Sequence, residues 1–519
     1  MGSKYVSRTI LVLVFLLSGR LVFSDTIRVP EYYSAIQDAV DAAQEGDTIL
    51  VSEGIYRGRI QLKPQLVLRS VGSDELGEVG LKRAEATILD GGGDSGDQPG
   101  VVMAEGSTLD GFTITNVGVF EETTWEKHFD SKGEELGDDE GAVRAEGTIP
   151  AVSLKVNCTV VNNIVHHNGD VGIAVLGTPT APKITPFVAN NVSFRNLGGG
   201  IGIAKRAQPI VRKNVCRHNL RAGIGCRDSA PFILENEFFA NIRAGIGCRE
   251  GARPIIRGNK CYQNRRAGIG VRMEGTAPIL EGNECYENEM AGIGSRDGAS
   301  PLVRDNRVYD NKMAGIGCDG SKPLIVGNES RNNGKAGIGL RGQANAILYQ
   351  NNCIENKLVA VGATEQSNAT LIGNSLKRTG GVPPVLAIKD GSNAAVFDNK
   401  ITGGGVAALL LQGNAWIGDN HIHSGQHMKG RAVWVWQGSK AAIAENLVDG
   451  YSMGIQASES EVTVSKNTIQ NFGKQAIVIN KAKKARVFDN VAITQDEEAV
   501  VVAVQGEKGL VTNNVLQHP

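Results

Sequence analysis

Arginine recurs once per repeat in the middle of this chain, at Arg227, Arg249, Arg272, Arg296 and Arg341. Lys205 stands at the start of this column and Asp319 interrupts it. A second basic column holds Arg221, Arg243, Arg266 and Lys335, broken by Met290 and Met313. A guanidinium is planar, permanently charged, and presents parallel N–H groups that match a carboxylate or sulfate. The two columns flank a repeated glycine, so they read as the walls of a groove for an acidic polymer. At about 4.8 Å per coil, five coils reach roughly 24 Å. A plainer reading competes with this one. Asp228, Glu250 and Asp297 directly follow Arg227, Arg249 and Arg296, so the columns also read as a solvated, locally neutralised ladder.

Three other groups carry chemistry. An acidic insertion within residues 117–150 contains Trp125, His128, Asp130, Glu134, Glu135, Asp138, Asp139 and Glu140. It suits a cover over the groove, a site for a hard cation, or a solvated excursion. His421 and His423 are the outer members of a strand triplet, so they share a face on which copper or zinc can be chelated, with His427 close behind. Turn or inward histidines are the ordinary alternative. Trp434 and Trp436 also share a face, as a stacking platform for sugar rings or as core.

The element that must position these residues is a solenoid. Ile201, Ile224, Ile246, Ile269, Ile293, Ile316 and Ile338 each sit inside a Gly-Ile-Gly core. A period in this range means stacked repeats that cannot bury their apolar faces alone. Apolar residues alternate with a spacing of two, as in Ile224 and Cys226 against Gly225 and Arg227. The expected fold is therefore all-β: a right-handed parallel β-helix with about 22 residues per coil. Two asparagine columns support it. One runs Asn191, Asn214, Asn236, Asn259, Asn283, Asn306 and Asn328; the other runs Asn196, Asn219, Asn241, Asn264, Asn288, Asn311 and Asn333. Asparagine tolerates tight corners and can bond to the coils above and below, so these residues read as structural.

Seven of the eight cysteines fall into two columns shared with apolar or small residues. They read as a stacked thiol ladder, with Cys226/Cys248 and Cys261/Cys285 also spaced for disulfides. Residues 1–24 read as a secretory signal with Lys4, Arg8 and an apolar run from Thr9 to Leu17. The expectation is an exported protein, secreted or periplasmic, with no membrane segment after cleavage. Net charge is −1, which argues against a nucleic-acid partner. Residues 25–519 then form one domain. Residues 25–57 hold an amphipathic capping helix with Ser34 as its N-cap, and the first strand. Regular repeats fill 160–375, and degenerate coils follow over 376–519.

The segment SAIQDAVDAAQEGDTILVSEGIYRGRI resembles the N-terminal cap of the pectin-lyase-like superfamily. Coils such as AGIGCRDSAPFILENEFFANIRAGIGCREGARPIIRGNKCYQN resemble the PbH1 repeats of carbohydrate-binding and sugar-hydrolase (CASH) domains and of NosD-like periplasmic proteins. The resemblance covers almost all of the mature chain and implies the β-helix fold. It implies a polysaccharide partner, bound and in some relatives processed. For a pectate-lyase-like reaction it implies arginine or lysine as base and calcium at the carboxylate. Asp228, Asp297 and Asp319 lie on separate coils and make no compact calcium cluster. No strict coil carries the paired adjacent aspartates of polygalacturonases, and the Asp-Pro-His motif of mannuronan epimerases is missing. The NosD likeness implies a second role, as an accessory in copper-site maturation through His421, His423 and the cysteines. A non-catalytic surface scaffold is the third.

Overall fold

A computed structural model describes residues 24–94, 96, 98–131, 149–180, 182–425, 430–506 and 509–518. The expected signal peptide, His427 and most of the acidic insertion lie outside these residues. The described chain is a right-handed parallel β-solenoid of about 20 turns, with coils about 23 residues apart. Three sheets of 20, 19 and 18 strands run its length. Every strand pairs in parallel with its counterpart one coil on.

One coil shows how the sequence makes the turn. Ile210–Arg212 lies in the first sheet, Val215–Arg217 in the second and Ile224–Arg227 in the third. Asn214 and Asn219 occupy the two corners between them, both buried. Asn214 donates from Nδ2 to Asn236 Oδ1 at 3.0 Å, and its backbone N–H donates to the same oxygen at 2.9 Å. Each corner thus satisfies backbone and side-chain groups of its neighbour, which a buried bend otherwise leaves unmet. This first ladder continues unbroken from Asn163 to Asn514, through the coils whose other features decay. The second ladder runs from Asn168 to Asn356.

Inward residues of the three sheets fill the core: Val211, Cys216, Ile224 and Cys226 in this coil. All eight cysteines are buried free thiols. Cys226 stands in register with Cys248, and Cys261 with Cys285. Burial pushes the Cys353 thiol up to about 12, so it behaves as an apolar filler. On the outside of the second sheet Phe239, Tyr262, Tyr286 and Tyr309 stack ring on ring at 4.9, 4.9 and 5.0 Å.

The N-terminal edge is closed as expected. Helix α1 (Ile36–Ala42) turns Ile36, Ala39 and Val40 into the first coils. Its N-cap is Ala35, not Ser34, and no side chain caps it. A second short helix, α2 (Lys82–Ala86), buries Arg83. Arg83 donates to Asp74 and Asp110 carboxylates, each at 2.6 Å, and to Ser70. Among the described residues no helix is long and apolar enough to cross a membrane.

Candidate binding groove

The third sheet carries the repeated isoleucines inward and leaves the glycine that follows each one facing out. Gly202, Gly225, Gly247, Gly270, Gly294, Gly317, Gly339 and Gly362 are in register, coil on coil. They form the floor of a groove of about 1570 Å³ that follows the solenoid axis. Both predicted basic columns line it. Arg221, Arg243 and Arg266 stand along one wall, and Arg227, Arg249, Arg272, Arg296 and Arg341 along the other.

The floor glycines are not demanded by the fold. At the six from Gly225 to Gly339, an added Cβ would meet nothing nearer than 3.5 Å. None of them has the left-handed backbone that favours glycine. A second glycine, two residues earlier in each coil, behaves oppositely. A Cβ on Gly245 would stand 2.8 Å from the Gly268 carbonyl oxygen, and one on Gly268 would stand 2.7 Å from that of Gly292. That inner column is required for close approach of neighbouring coils. The outer column costs strand stability relative to alanine, about 0.5–1 kcal/mol per residue, without a packing return. What it does provide is an unobstructed floor.

The walls are partly neutralised, as the solvated-ladder reading expects. Arg249 lies 3.2 Å from the Glu250 carboxylate, Arg296 lies 3.3 Å from Asp297, and Arg341 lies 2.7 Å from Asp319. Asp319 therefore does not simply break the column; it sits in register between Arg296 and Arg341 and binds the latter. Burial lowers the pKa of Arg221 and Arg272 from the arginine value, and Arg296 adds to the effect at Arg272. A desolvated guanidinium gains more from an anion than a fully hydrated one.

The start of the insertion sits on the groove rim. Helix α3 (Glu122–Asp130) packs Trp125 against Leu220 and Ile242, and Leu220 also lines the groove. The Arg195 guanidinium lies 4.0 Å from the Trp125 ring centroid, and Arg195 pairs with Glu122. Phe129 stacks on both Trp125 and His218. Asp130 ends this helix, and Glu134, Glu135, Asp138, Asp139 and Glu140 lie outside the described residues.

The remaining candidates lie elsewhere. His421 and His423 do share an outer strand face, in the second sheet, with ring centroids 6.2 Å apart. His423 accepts the Gly425 N–H at Nδ1 and lies 3.7 Å from Asp449. Among the described residues no group of three His, Cys, Asp or Glu side chains is placed to hold a metal ion. Trp434 stands in register with Leu410, one coil beyond the groove lining, 4.5 Å from Trp436 and under the Arg431 guanidinium. The glycine floor between the two basic columns is readable in the sequence; which of the two glycine columns is dispensable for packing is not, because only the space above each glycine distinguishes them.

Several solved structures resemble the fold. The A-module of the Azotobacter vinelandii mannuronan C-5 epimerase AlgE4 is 16% identical, with 73% of this chain and 92% of that one covered, at a TM-score of 0.41. The catalytic unit of the α-1,3-glucanase from Streptomyces thermodiastaticus is 14% identical, with 70% and 64% covered, at 0.43. The receptor-binding tailspike of bacteriophage Det7 is 12% identical, with 69% and 77% covered, at 0.46. No curated protein sequence matches the chain. The family model for the right-handed beta helix region matches residues 151–253, 180–326, 233–376, 296–409 and 385–516, so the matches together run from 151 to 516. This chain belongs to the right-handed beta helix family.

Proposed function

We propose that the groove of the third sheet binds an anionic polysaccharide lengthwise. The observation that carries this reading is the row of six glycines whose missing side chains serve neither packing nor backbone conformation. A bare floor between two arginine walls fits an extended, charged, unbranched chain. The floor's backbone N–H and C=O groups are committed to the neighbouring coils, as in Ile246 N–H donating to the Gly268 carbonyl oxygen at 3.0 Å. It therefore has little to offer the amides of a peptide. It suits the C–H faces of sugar rings, with carboxylates or sulfates reaching the walls. Export fits the same reading, since residues 1–24 read as a secretory signal.

The test is a glycan panel of acidic and neutral polymers, with turnover followed in the same wells. Salt-sensitive binding to acidic polymers, weakened at least tenfold by Arg249→Ala with Arg272→Ala, is the expected result. Unsaturated uronate product would make the protein a lyase as well as a binder. Equal binding to neutral and acidic polymers would overturn the reading.

A further inference from the structure

The groove changes chemistry along its length. The wall position three residues before each inward apolar residue reads Arg221, Arg243 and Arg266, then Met290 and Met313, then Lys335, then Leu358, Pro383 and Val406. The floor changes in step. After Gly362 the in-register residues are Ala387, Leu410 and Trp434. One wall and the floor thus grade from guanidinium and bare backbone to hydrocarbon, while the opposite wall continues past Arg341 with Thr364 and Lys389.

The apolar end is exposed rather than packed away. Val382 is 70% exposed and Leu358 50%, and both line the groove. Beneath them Ala336, Val359 and Ala387 form a small apolar cluster separate from the main core. Single exposed apolar residues are ordinary on a protein surface. A run of them continuing one groove, directly past its basic segment, is not scattered in that way.

Resting on the polysaccharide reading above, we infer that the ligand is an acylated anionic saccharide. Its charged part lies between the arginine walls, and its hydrocarbon chain lies over Leu358, Val382 and Leu410. One elongated site then holds both halves of an amphiphile. The basic segment supplies charge complementarity, and the apolar segment removes hydrocarbon from water at a gain proportional to the area covered. A peptide with an acidic and an apolar half is the competing occupant, and the committed backbone of the floor disfavours it.

The test compares an oligogalacturonate with the same oligomer carrying one decanoyl chain, each titrated into the full chain below the micelle concentration. The acylated probe is expected to bind at least tenfold more tightly. Leu358→Ser with Val382→Ser should abolish that advantage and leave the affinity for the plain oligomer unchanged. Both side chains are at least half exposed, so the fold should be retained, with thermal melting as the check. Arg249→Ala with Arg272→Ala should weaken both probes. Equal affinity of the two probes, with salt-sensitive binding of each, would overturn the inference and leave the polysaccharide reading standing. Binding of neither probe, or of neutral glycans equally, would overturn both. Preference for an acidic, apolar-tailed peptide over both probes would assign the groove to protein.

Discussion

Trp125 donates its indole N–H to the backbone carbonyl oxygen of His218 at 3.0 Å, joining residues 93 apart in sequence. The bond ties the first helix of the insertion to the corner of a coil that also lines the groove. A buried tryptophan with its N–H satisfied and a cation on its face is an anchor rather than a chance contact.

Trp125→Ala should therefore release α3 while leaving the solenoid intact. The expected outcome is at least tenfold faster cleavage within residues 117–150 by a nonspecific protease. The melting temperature of the coils should move by only a few degrees. Unchanged cleavage would mean that other contacts hold the segment.

The two glycine columns make a paired prediction. Gly270→Leu fills the floor, where an added Cβ has its nearest neighbour at 3.7 Å, so stability should hold and binding of an acidic polymer should fall at least tenfold. Gly268→Ala, two residues earlier, forces a Cβ against the Gly292 carbonyl oxygen at 2.7 Å. It should cost about 1–3 kcal/mol of stability in denaturant titration. A Gly270→Leu protein that binds normally would show that the ligand lies elsewhere.

Asn259→Ala tests the corner ladder. Asn259 accepts from Asn236, donates to Asn283 Oδ1 at 3.0 Å and donates to the Ile233 carbonyl oxygen at 2.9 Å. Its removal leaves several buried groups unmet, at about 1–3 kcal/mol each before relaxation. Amide hydrogen exchange should accelerate in the flanking coils, with the cap region little affected, because a solenoid couples nearest neighbours most strongly.

Mild acid should loosen the α3 dock. Burial and nearby charge lower His166 and His218 to about 4, with Arg217 acting on both, Arg195 and Arg265 on His218, and His167 on His166. Glu122, 3.9 Å from His167, is the carboxylate facing this group. These histidines are neutral when packed and take a proton more readily when released. The stabilisation is therefore complete above about pH 6.5. It is lost progressively as pH falls toward about 4. Tryptophan fluorescence against pH, compared with His218→Gln, measures it. A flat profile over that window would count against the histidines.

Much of this architecture is legible in the residues themselves. The isoleucine period dictates stacked coils, and the two asparagine columns mark the corners that the hydrogen bonds later show. Both arginine columns are found on opposite walls of one groove, because alternation about Ile246 or Ile269 fixes which side chains point out. Other features depend on contacts between distant segments. The docking of Trp125 on Leu220 leaves no periodic trace in its own segment. Nothing in the residues around Arg83 signals that the fold brings Asp74 and Asp110 to it. The ring stack through Tyr262 and Tyr286 sits one position from the cysteine column and was hidden by it. After residue 375 the other repeat features fade, yet the single asparagine kept in each coil carries the first ladder to Asn514.

Strict register between each strand and its counterpart has an evolutionary consequence. Duplicating one whole coil inserts a floor glycine, two wall positions and both corner asparagines together, and every neighbour finds the partner it had before. Such an insertion lengthens the groove by about 4.8 Å without disturbing its cross-section. If the groove holds a ligand as proposed, the number of repeats would act as a ruler for its length, and the wall residue of each repeat as a separately adjustable letter.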